Sequence, residues 1–173
     1  MSLSELLSQA GLDKEVKIPP VEKWNPELSG DMDMIVRKDG TWWHEGGQIK
    51  RQELVRLFAS ILKREGDDHF LVTPVEKWRI RIEDRPLLVA MVEFEPDGIR
   101  VLTNGGDSLV VGNDHPLIVS ELDGVEVPEV LVRANLWARF SRNAFYQLSG
   151  WAVEEAGRIG VVSGGRFFAL ESE

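Results

Sequence analysis

The fold is decided by residues 70–111, FLVTPVEKWRIRIEDRPLLVAMVEFEPDGIRVLTNGGDSLVV. Short runs rich in β-branched and aromatic residues alternate here with turn-forming residues, which is typical of antiparallel strands. The runs predict strands at 70–73, 75–83, 87–95, 99–103 and 108–111. The turns between them are predicted at Arg85-Pro86, Pro96-Asp97-Gly98 and Asn104-Gly105-Gly106-Asp107.

Toward the N-terminus, the pattern predicts two helices, an arm and a hairpin. Leucines at helical spacing predict a short helix at 3–10, and a Pro-rich arm at 18–26 is expected to lie extended across the surface. Asp39-Gly40 joins two β-prone runs, Met32 to Arg37 and Thr41 to His44, as in a hairpin. An amphipathic helix is predicted from Ile49 to Lys63, with Gly66 as its C-terminal glycine.

Toward the C-terminus, two hairpins are predicted on either side of another helix. The first pairs 116–122 with 127–133 around Asp123-Gly124. The second pairs 158–163 with 166–171 around Gly164-Gly165. The amphipathic helix between them is predicted from Leu136 to Glu155, with Asn135 as its cap.

The two predicted helices suggest an internal duplication. A shift of 91 residues superposes the apolar positions of the first helix on those of the second, and Arg51 on Arg142. Any two amphipathic helices can be aligned in this way, so chance alignment stays the alternative. The predicted fold is α+β, with antiparallel strands in two related halves and two amphipathic helices. Its predicted parts are an N-terminal helix and Pro-rich arm at 1–26, a strand–helix–strand half at 27–84, and a β-rich half at 85–173.

Composition excludes several classes of function. The net charge of -9 repels phosphate backbones, so nucleic-acid binding is disfavoured. Cysteine is absent, which removes disulfides and thiolate chemistry. Because the sequence lacks a signal-peptide pattern and an apolar stretch of about 20 residues, we expect a cytoplasmic protein without a membrane segment.

The sequence contains no recognisable catalytic, metal-binding or cofactor-binding motif. His44 and Glu45 are the most suggestive pair, yet adjacent strand residues point to opposite faces. A solvated histidine at a strand end is the simpler interpretation. A hydrolase using His44 with Glu45 or Asp84 remains an alternative.

Arginine is the more informative residue type, since 13 arginines accompany 7 lysines. The planar guanidinium suits carboxylate and phosphate recognition. Arg51 and Arg142 are predicted to open the two helices, and Arg133 to end a strand. Convergence of these arginines on one anion is one hypothesis; pairing of each with some of the 29 acidic residues is the other. Tryptophans could stack on a planar ligand, although core packing is the usual role of this residue.

Several stretches together resemble the bacterial domain-of-unknown-function family 1285. They are Gly40-Thr41-Trp42-Trp43-His44-Glu45-Gly46, residues 71–78 (LVTPVEKW), and Ser163-Gly164-Gly165-Arg166-Phe167-Phe168. The resemblance runs from about residue 20 to the C-terminus. It implies a duplicated core, a C-terminal half like pleckstrin-homology folds, a ligand site between the halves for a nucleotide-like molecule, and a role in signal transduction.

The resemblance brings no catalytic residue. Polar or aromatic motif positions near element ends are therefore the predicted ligand-binding set: Arg51, Trp78, Asp84, Thr103, Asn104, Arg133 and Arg142. Our first hypothesis is a non-catalytic regulatory protein that binds a small anion without a cofactor. The alternative is a protein-interaction module that uses a sheet edge or the Pro-rich arm.

Overall fold

The computed structural model describes residues 2–9 and 18–171, and it divides the chain into two compact units. Unit 1 is Met1–Pro86 and unit 2 is Leu87–Glu173. Strands dominate both units, and the helices are few and short. The predicted boundary between residues 84 and 85 therefore falls within two residues of the boundary between the units.

Unit 1 is one six-stranded sheet with helices. The short helix predicted at the N-terminus is confirmed as α1 (Leu3–Gln9). The remaining elements are β1 (Gly30–Val36), β2 (Trp42–His44), β3 (Gly47–Gln48), α2 (Gln52–Ser60), β4 (Leu62–Glu65), β5 (Asp68–Val72) and β6 (Lys77–Ile82). In sheet A the strand order is β3-β2-β1-β6-β5-β4, with β1 and β6 parallel and the other neighbours antiparallel.

The predicted hairpin around Asp39-Gly40 is confirmed, and its two tryptophans face opposite sides of sheet A. Trp42 is buried and stacks on Phe58 of α2, with 6.2 Å between the ring centroids. Trp43 lies on the outer face, where the Arg37 guanidinium is 4.6 Å from its ring centroid. The inward tryptophan therefore builds the core between the sheet and α2.

Unit 2 consists of two sheets and one helix. Its elements are β7 (Leu87–Glu95), β8 (Gly98–Thr103), β9 (Ser108–Val110), β10 (Leu117–Leu122), β11 (Val125–Arg133), β12 (Leu136–Phe140), α3 (Arg142–Ser149), β13 (Val153–Glu155), β14 (Arg158–Ser163) and β15 (Arg166–Ala169). Sheet B has the order β10-β11-β12-β7-β8-β9, and sheet C has the order β13-β14-β15.

The two units share an order of elements. In each, a three-stranded antiparallel meander is followed by a helix and a second meander: β1 to β6 around α2, and β10 to β15 around α3. This order is consistent with duplication of an ancestral half. The units differ because β6 joins β1 in unit 1, whereas β12 of unit 2 pairs with the additional strand β7. Likeness of the C-terminal half to pleckstrin-homology folds stays a prediction.

The first amphipathic helix is shorter than predicted. The prediction ran from Ile49 to Lys63, but α2 ends at Ser60 and β4 begins at Leu62. Ile61 and Leu62 are both buried, so their apolar pattern fits a helix and a strand equally well. Gly66, with φ of 61°, is in the turn of the β4–β5 hairpin and does not cap α2.

The second predicted helix, 136–155, is wrong at both ends. Leu136–Phe140 is β12, α3 occupies only Arg142–Ser149, and β13 follows. Asn135 lies in the turn before β12, and Ser141 is the cap, its Oγ accepting a hydrogen bond from the Ala144 N–H at 3.1 Å. The strand alternation was hidden because the charged Arg139 is buried beside its apolar neighbours.

Sheet C is joined to sheet B through Ser163. The buried Ser163 hydroxyl accepts a hydrogen bond from the Ile99 N–H and donates one to the Val111 carbonyl, both at 2.7 Å. The Gly164 N–H donates to the Asp97 carbonyl at 3.2 Å. The Ser163-Gly164 motif is therefore a structural joint inside unit 2.

No helix among the residues that the structure describes is long and apolar enough to cross a membrane.

Candidate functional site

Three of the seven predicted site residues lie in unit 1. Arg51 is exposed and immediately precedes α2, as predicted. Trp78 is half-buried on β6, with its ring over Gly30. The Asp84 side chain is 7% exposed and lies 3.5 Å from the Arg85 guanidinium. Their binding roles stay predictions.

Three of the four predicted residues in unit 2 come together around the turn that joins β8 to β9. We call Thr103, Asn104, Asp107 and Arg133 the Arg133 cluster. Arg133 Nη1 contacts the Asp107 carboxylate, whose other oxygen accepts the Thr103 hydroxyl at 2.7 Å. Asp107 was not among the predicted residues, yet it connects two that were.

The turn itself is fixed by hydrogen bonds from Thr103 and Asn104. Thr103 Oγ1 accepts the backbone N–H groups of Gly105 at 3.2 Å and Asp107 at 3.1 Å. Asn104 Oδ1 accepts the Leu88 N–H at 3.0 Å, and the Asn104 N–H donates to the Leu88 carbonyl at 2.9 Å. These two side chains shape the turn and fasten it to β7.

Backbone irregularities place Arg133. A register shift between Leu131 and Arg133 interrupts the β11–β12 ladder, and such bulges redirect side chains. The following turn has positive φ at both central residues, 44° for Ala134 and 61° for Asn135. The comparable turns place glycine second, as in Asp123-Gly124, whereas this turn has Asn135 there, a residue type that tolerates positive φ.

The Arg133–Asp107 ion pair also reports the shape of sheet B. Arg133 ends β11 and Asp107 follows β8, and these strands are three steps apart in the sheet order. On a flat sheet three steps are roughly 14 Å, which is too far for a direct ion pair. Sheet B therefore curls into a half-barrel, and the Arg133 cluster lies at one end of it.

Burial sets the electrostatics of this pair. The Arg133 side chain is 21% exposed and that of Asp107 is 11% exposed. Burial lowers the pKa of Arg133 from its ordinary value, and the Asp107 charge partly offsets that effect. A guanidinium that is held in this way interacts more strongly with charge than an exposed one would.

Arg142, the fourth predicted residue of unit 2, lies elsewhere. It is exposed at the first position of α3, just after β12 ends. Arg133 pairs with Leu136, the first residue of β12. The two arginines thus flank opposite ends of a five-residue strand, roughly 17 Å long.

Comparison with known proteins assigns the chain to a family. Residues 19–85 match the model described as "Domain of unknown function (DUF1285), N-terminal domain". Residues 86–170 match "Protein of unknown function (DUF1285), C-terminal domain". This chain belongs to the DUF1285 family. The resemblance seen in the sequence is therefore confirmed, and the break between the two family models, at 85/86, lies one residue from the break between the units, at 86/87.

Two DUF1285 crystal structures are similar to this chain. The protein from Silicibacter pomeroyi DSS-3 is 42% identical, with a TM-score of 0.86 over 95% of this chain and 93% of that one. The protein from Shewanella baltica OS155 is 27% identical, with a TM-score of 0.56 over 69% of this chain and 91% of that one. No curated protein matches this chain. The family supplies a fold and no established activity.

The hydrolase alternative rests on His44 in this DUF1285 protein. His44 Nε2 lies 3.8 Å from Glu45 Oε1, because Glu45 leaves the strand with φ of 50°. Both side chains are exposed, at 41% and 78%. In the described part of the chain, the side chains of His, Asp, Glu and Cys form no group of three or more suited to a metal ion.

Sequence reasoning missed a buried charged group in sheet B. Arg139 and Glu129 face each other on β12 and β11, and their side chains are 2% and 3% exposed. Arg139 Nη1 donates to the carbonyls of Val127 at 2.8 Å and Ser120 at 3.2 Å, and lies 3.7 Å from Glu129 Oε2. The Ser120 hydroxyl contacts both charged side chains. The partners are 9 residues or more apart in sequence, so their pairing gave no local signal.

His69 is the other group that the sequence left unremarked. It is half-buried on β5, and its Nε2 atom is buried without a hydrogen-bond partner in the described residues. The pKa of His69 is lowered to about 4, mainly because burial disfavours the charged ring. Repulsion from Arg64 and Arg85 adds to this, while Asp67 and Asp68 oppose it.

This shift predicts a pH-dependent stability. The pKa of His69 is near 6.5 in the unfolded chain and about 4 in the folded one, so the unfolded chain takes up the proton first. Stability is therefore full above pH 6.5 and falls between pH 6.5 and about 4. The full pKa shift corresponds to a loss of about 3 kcal/mol in the free energy of unfolding. Because the ring is partly exposed to solvent, we expect a loss of about 2 kcal/mol.

Urea unfolding at about pH 7.5 and about pH 4.5, for wild type and His69→Gln, measures this term. The other titratable groups are common to both proteins, so the difference between the two proteins reports on His69. We expect wild type to lose about 2 kcal/mol more than the variant. Equal losses would mean that His69 titrates normally in the folded protein.

Proposed function

We propose that this protein is a non-catalytic ligand-binding protein that holds a small, nucleotide-like anion at the Arg133 cluster and acts in signal transduction. The main support for this proposal is the position of Arg133. A β-bulge and a tight turn with positive φ at Ala134 and Asn135 direct a largely buried guanidinium to the end of a curled sheet. β-Bulges are over-represented beside functional sites, and the ends of barrels are common ligand sites.

The chemistry of the cluster favours an anion. A guanidinium presents a planar fork of N–H donors that matches phosphate and carboxylate oxygens. Asp107 orients that fork, and the Thr103 hydroxyl orients Asp107 in turn. The Asp107 carboxylate offsets much of the Arg133 charge, so the proposed anion would be held by directed N–H donors more than by net local charge.

The cluster suits holding a ligand better than transferring protons. Both oxygens of the Asp107 carboxylate are engaged, one by Arg133 and the other by the Thr103 hydroxyl, so the carboxylate is held in place and not directed at a substrate proton. Thr103 and Asn104 position the turn, so Arg133 is the proposed direct contact. Arg142 would reach only an elongated ligand, and the contributions of Arg51, Trp78 and Asp84 stay predictions.

Arg133→Gln is expected to abolish ligand-induced stabilisation. The test is a thermal-shift titration of purified protein with mono-, di- and cyclic nucleotides. A ligand at a hundred times its Kd adds about 2.7 kcal/mol of stability, so binding is readily visible. Arg81→Gln is the matched control, because it removes the same charge from an exposed pair with Asp33 at 2.8 Å.

Asp107→Asn tests the sign of the electrostatics. The amide keeps an acceptor for Thr103 and removes the negative charge beside Arg133, so anion affinity should rise about 5- to 10-fold. A flat titration for wild type, or equal shifts in wild type and Arg133→Gln, would overturn the proposal.

A further inference from the structure

The Pro-rich arm of unit 1 is packed against sheet A. The arm is residues 18–26, as predicted from the sequence. Beyond it, Ser29 is fixed to β6, because its N–H donates to the Lys77 carbonyl at 2.7 Å and its Oγ accepts the Lys77 N–H at 3.0 Å. Residues Val21–Lys23 form a single 3-10 turn beside β4, and Val21 is 6% exposed. Because β4 is the last strand in the order of sheet A, the arm covers a sheet edge, which folded proteins commonly protect. The arm is therefore part of the fold of unit 1.

A buried lysine holds the arm in place. Lys63 on β4 is 5% exposed, and its Nζ donates to the Trp24 carbonyl at 3.0 Å and to Asn25 Oδ1 at 2.9 Å. Glu65 Oε2 is 3.6 Å from the same nitrogen. The arm thus supplies two neutral oxygens to a buried ammonium group, and these bonds cross 38 and 39 residues of sequence.

The other contacts of the arm are few. Its 3-10 turn is closed by local hydrogen bonds, from the Lys23 N–H to the Pro20 carbonyl and from the Trp24 N–H to the Val21 carbonyl. Pro20, Glu22, Lys23 and Asn25 are exposed and Trp24 is half-buried, so Val21 is the fully buried apolar side chain of the arm. Segments with little buried apolar area open locally at low free-energy cost.

The strands beneath the arm form a well-packed outer face. Phe70 and Val72 on β5 are 4% and 0% exposed. The Lys77 and Arg79 side chains cross the Phe70 ring at 4.4 Å and 5.5 Å from its centroid, and Lys77 binds Glu65 at 2.5 Å. These contacts join β4, β5 and β6 independently of the arm, so sheet A can persist when the arm leaves.

We propose that the arm is a latch over the β4 edge of unit 1, held shut by Lys63. In the closed state the ammonium group binds Trp24 and Asn25. In the open state the arm leaves as a unit, water replaces its two oxygens, and the edge of β4 is bared while sheet A stays folded. The strength of the Lys63 bonds sets the balance between the two states.

Lys63→Met is expected to open the latch. Methionine keeps an apolar stem of similar length and removes both hydrogen bonds, which are of the stronger, charge-assisted kind. Hydrogen exchange of the Lys23 and Trp24 amides should accelerate about 10- to 100-fold, whereas the amides of Phe70 to Val72 keep their rates. Lys50→Met, at an exposed lysine, is the matched control and should change neither set.

Asn25→Asp is expected to close the latch more tightly. The substitution replaces a neutral oxygen by a carboxylate oxygen on the same ammonium group, so exchange of the Lys23 and Trp24 amides should slow about 3- to 10-fold. This variant keeps the test decisive if Lys63→Met fails to fold.

Two results would overturn the latch. If the arm and strand amides accelerate together in Lys63→Met, the arm does not open separately from sheet A. If arm exchange is unchanged in both Lys63→Met and Asn25→Asp, Lys63 does not control it.

Discussion

Replacing Arg139 by methionine is expected to lower the free energy of unfolding by about 3–5 kcal/mol. Arg139 and Glu129 are almost fully buried opposite each other in sheet B. Removal of the guanidinium takes the buried cation away from the Glu129 carboxylate, which still contacts the Ser120 hydroxyl, and removes a donor to the Val127 carbonyl. An uncompensated buried charge costs far more than the lost packing of one side chain.

The double variant Arg139→Met/Glu129→Leu separates charge from packing. It removes both charges and restores apolar volume, so we expect it to recover most of the stability lost in the single variant. Urea unfolding followed by far-UV circular dichroism measures all three proteins. A loss below about 1 kcal/mol for Arg139→Met would show that the pair is solvated, as exposed pairs are.

Gly98→Ala is expected to cost about 3 kcal/mol by disrupting the joint between sheets B and C. Gly98 has φ of 142°, and a Cβ there would collide with Ser163 Oγ and lie 2.8 Å from the Gly164 nitrogen. Ser163 would have to move, which breaks its hydrogen bonds to Ile99 and Val111. The loss in the free energy of unfolding then combines the cost of overpacking with the cost of two broken buried hydrogen bonds.

Gly124→Ala is the control for backbone strain. Gly124 also has positive φ, 80°, but nothing lies within 4 Å of a Cβ placed on it. We expect it to lose about 1 kcal/mol from strain alone. Thermal unfolding of both variants compares them directly. Similar losses at the two positions would contradict the account of the joint, because they would leave the steric contact with Ser163 without effect.

The strands were predictable because their turns are chemically distinct. Glycine and proline mark the ends of β7 and β8, and Asp-Gly pairs mark the hairpins at Gly40 and Gly124. Turn chemistry is local, so it can be read without knowledge of the partner strand.

The helices were overextended for the opposite reason. When a buried strand follows a short helix, its apolar residues can continue the helical spacing by chance, and the helix is then predicted too long. Leu62, which is buried in β4 just after α2, is an example. At the second helix, a buried Arg139 made β12 look amphipathic at helical spacing. Only cross-strand pairing with Glu129 explains its burial, and that pairing is a property of the sheet.

The candidate site was predictable only in part. Three residues, Arg133, Thr103 and Asn104, were selected because they are polar and lie at the ends of predicted strands. The structure brings them together. Asp107 was missed because its contact with Arg133 spans 26 residues and depends on the curl of sheet B. The bulge and the Ala134 turn that place Arg133 contain no glycine, so the sequence gives no local signal for either of them.

The most direct test of anion binding at the Arg133 cluster is a nuclear magnetic resonance titration of the ¹⁵N-labelled DUF1285 protein with the nucleotide that stabilises it most. We expect dose-dependent shifts in the amides of Gly105, Gly106 and Asp107 and in the Arg133 side-chain resonances. These shifts should be lost in Arg133→Gln and retained in Arg81→Gln. Shifts confined to other parts of the chain, or no shifts at saturating nucleotide, would contradict it.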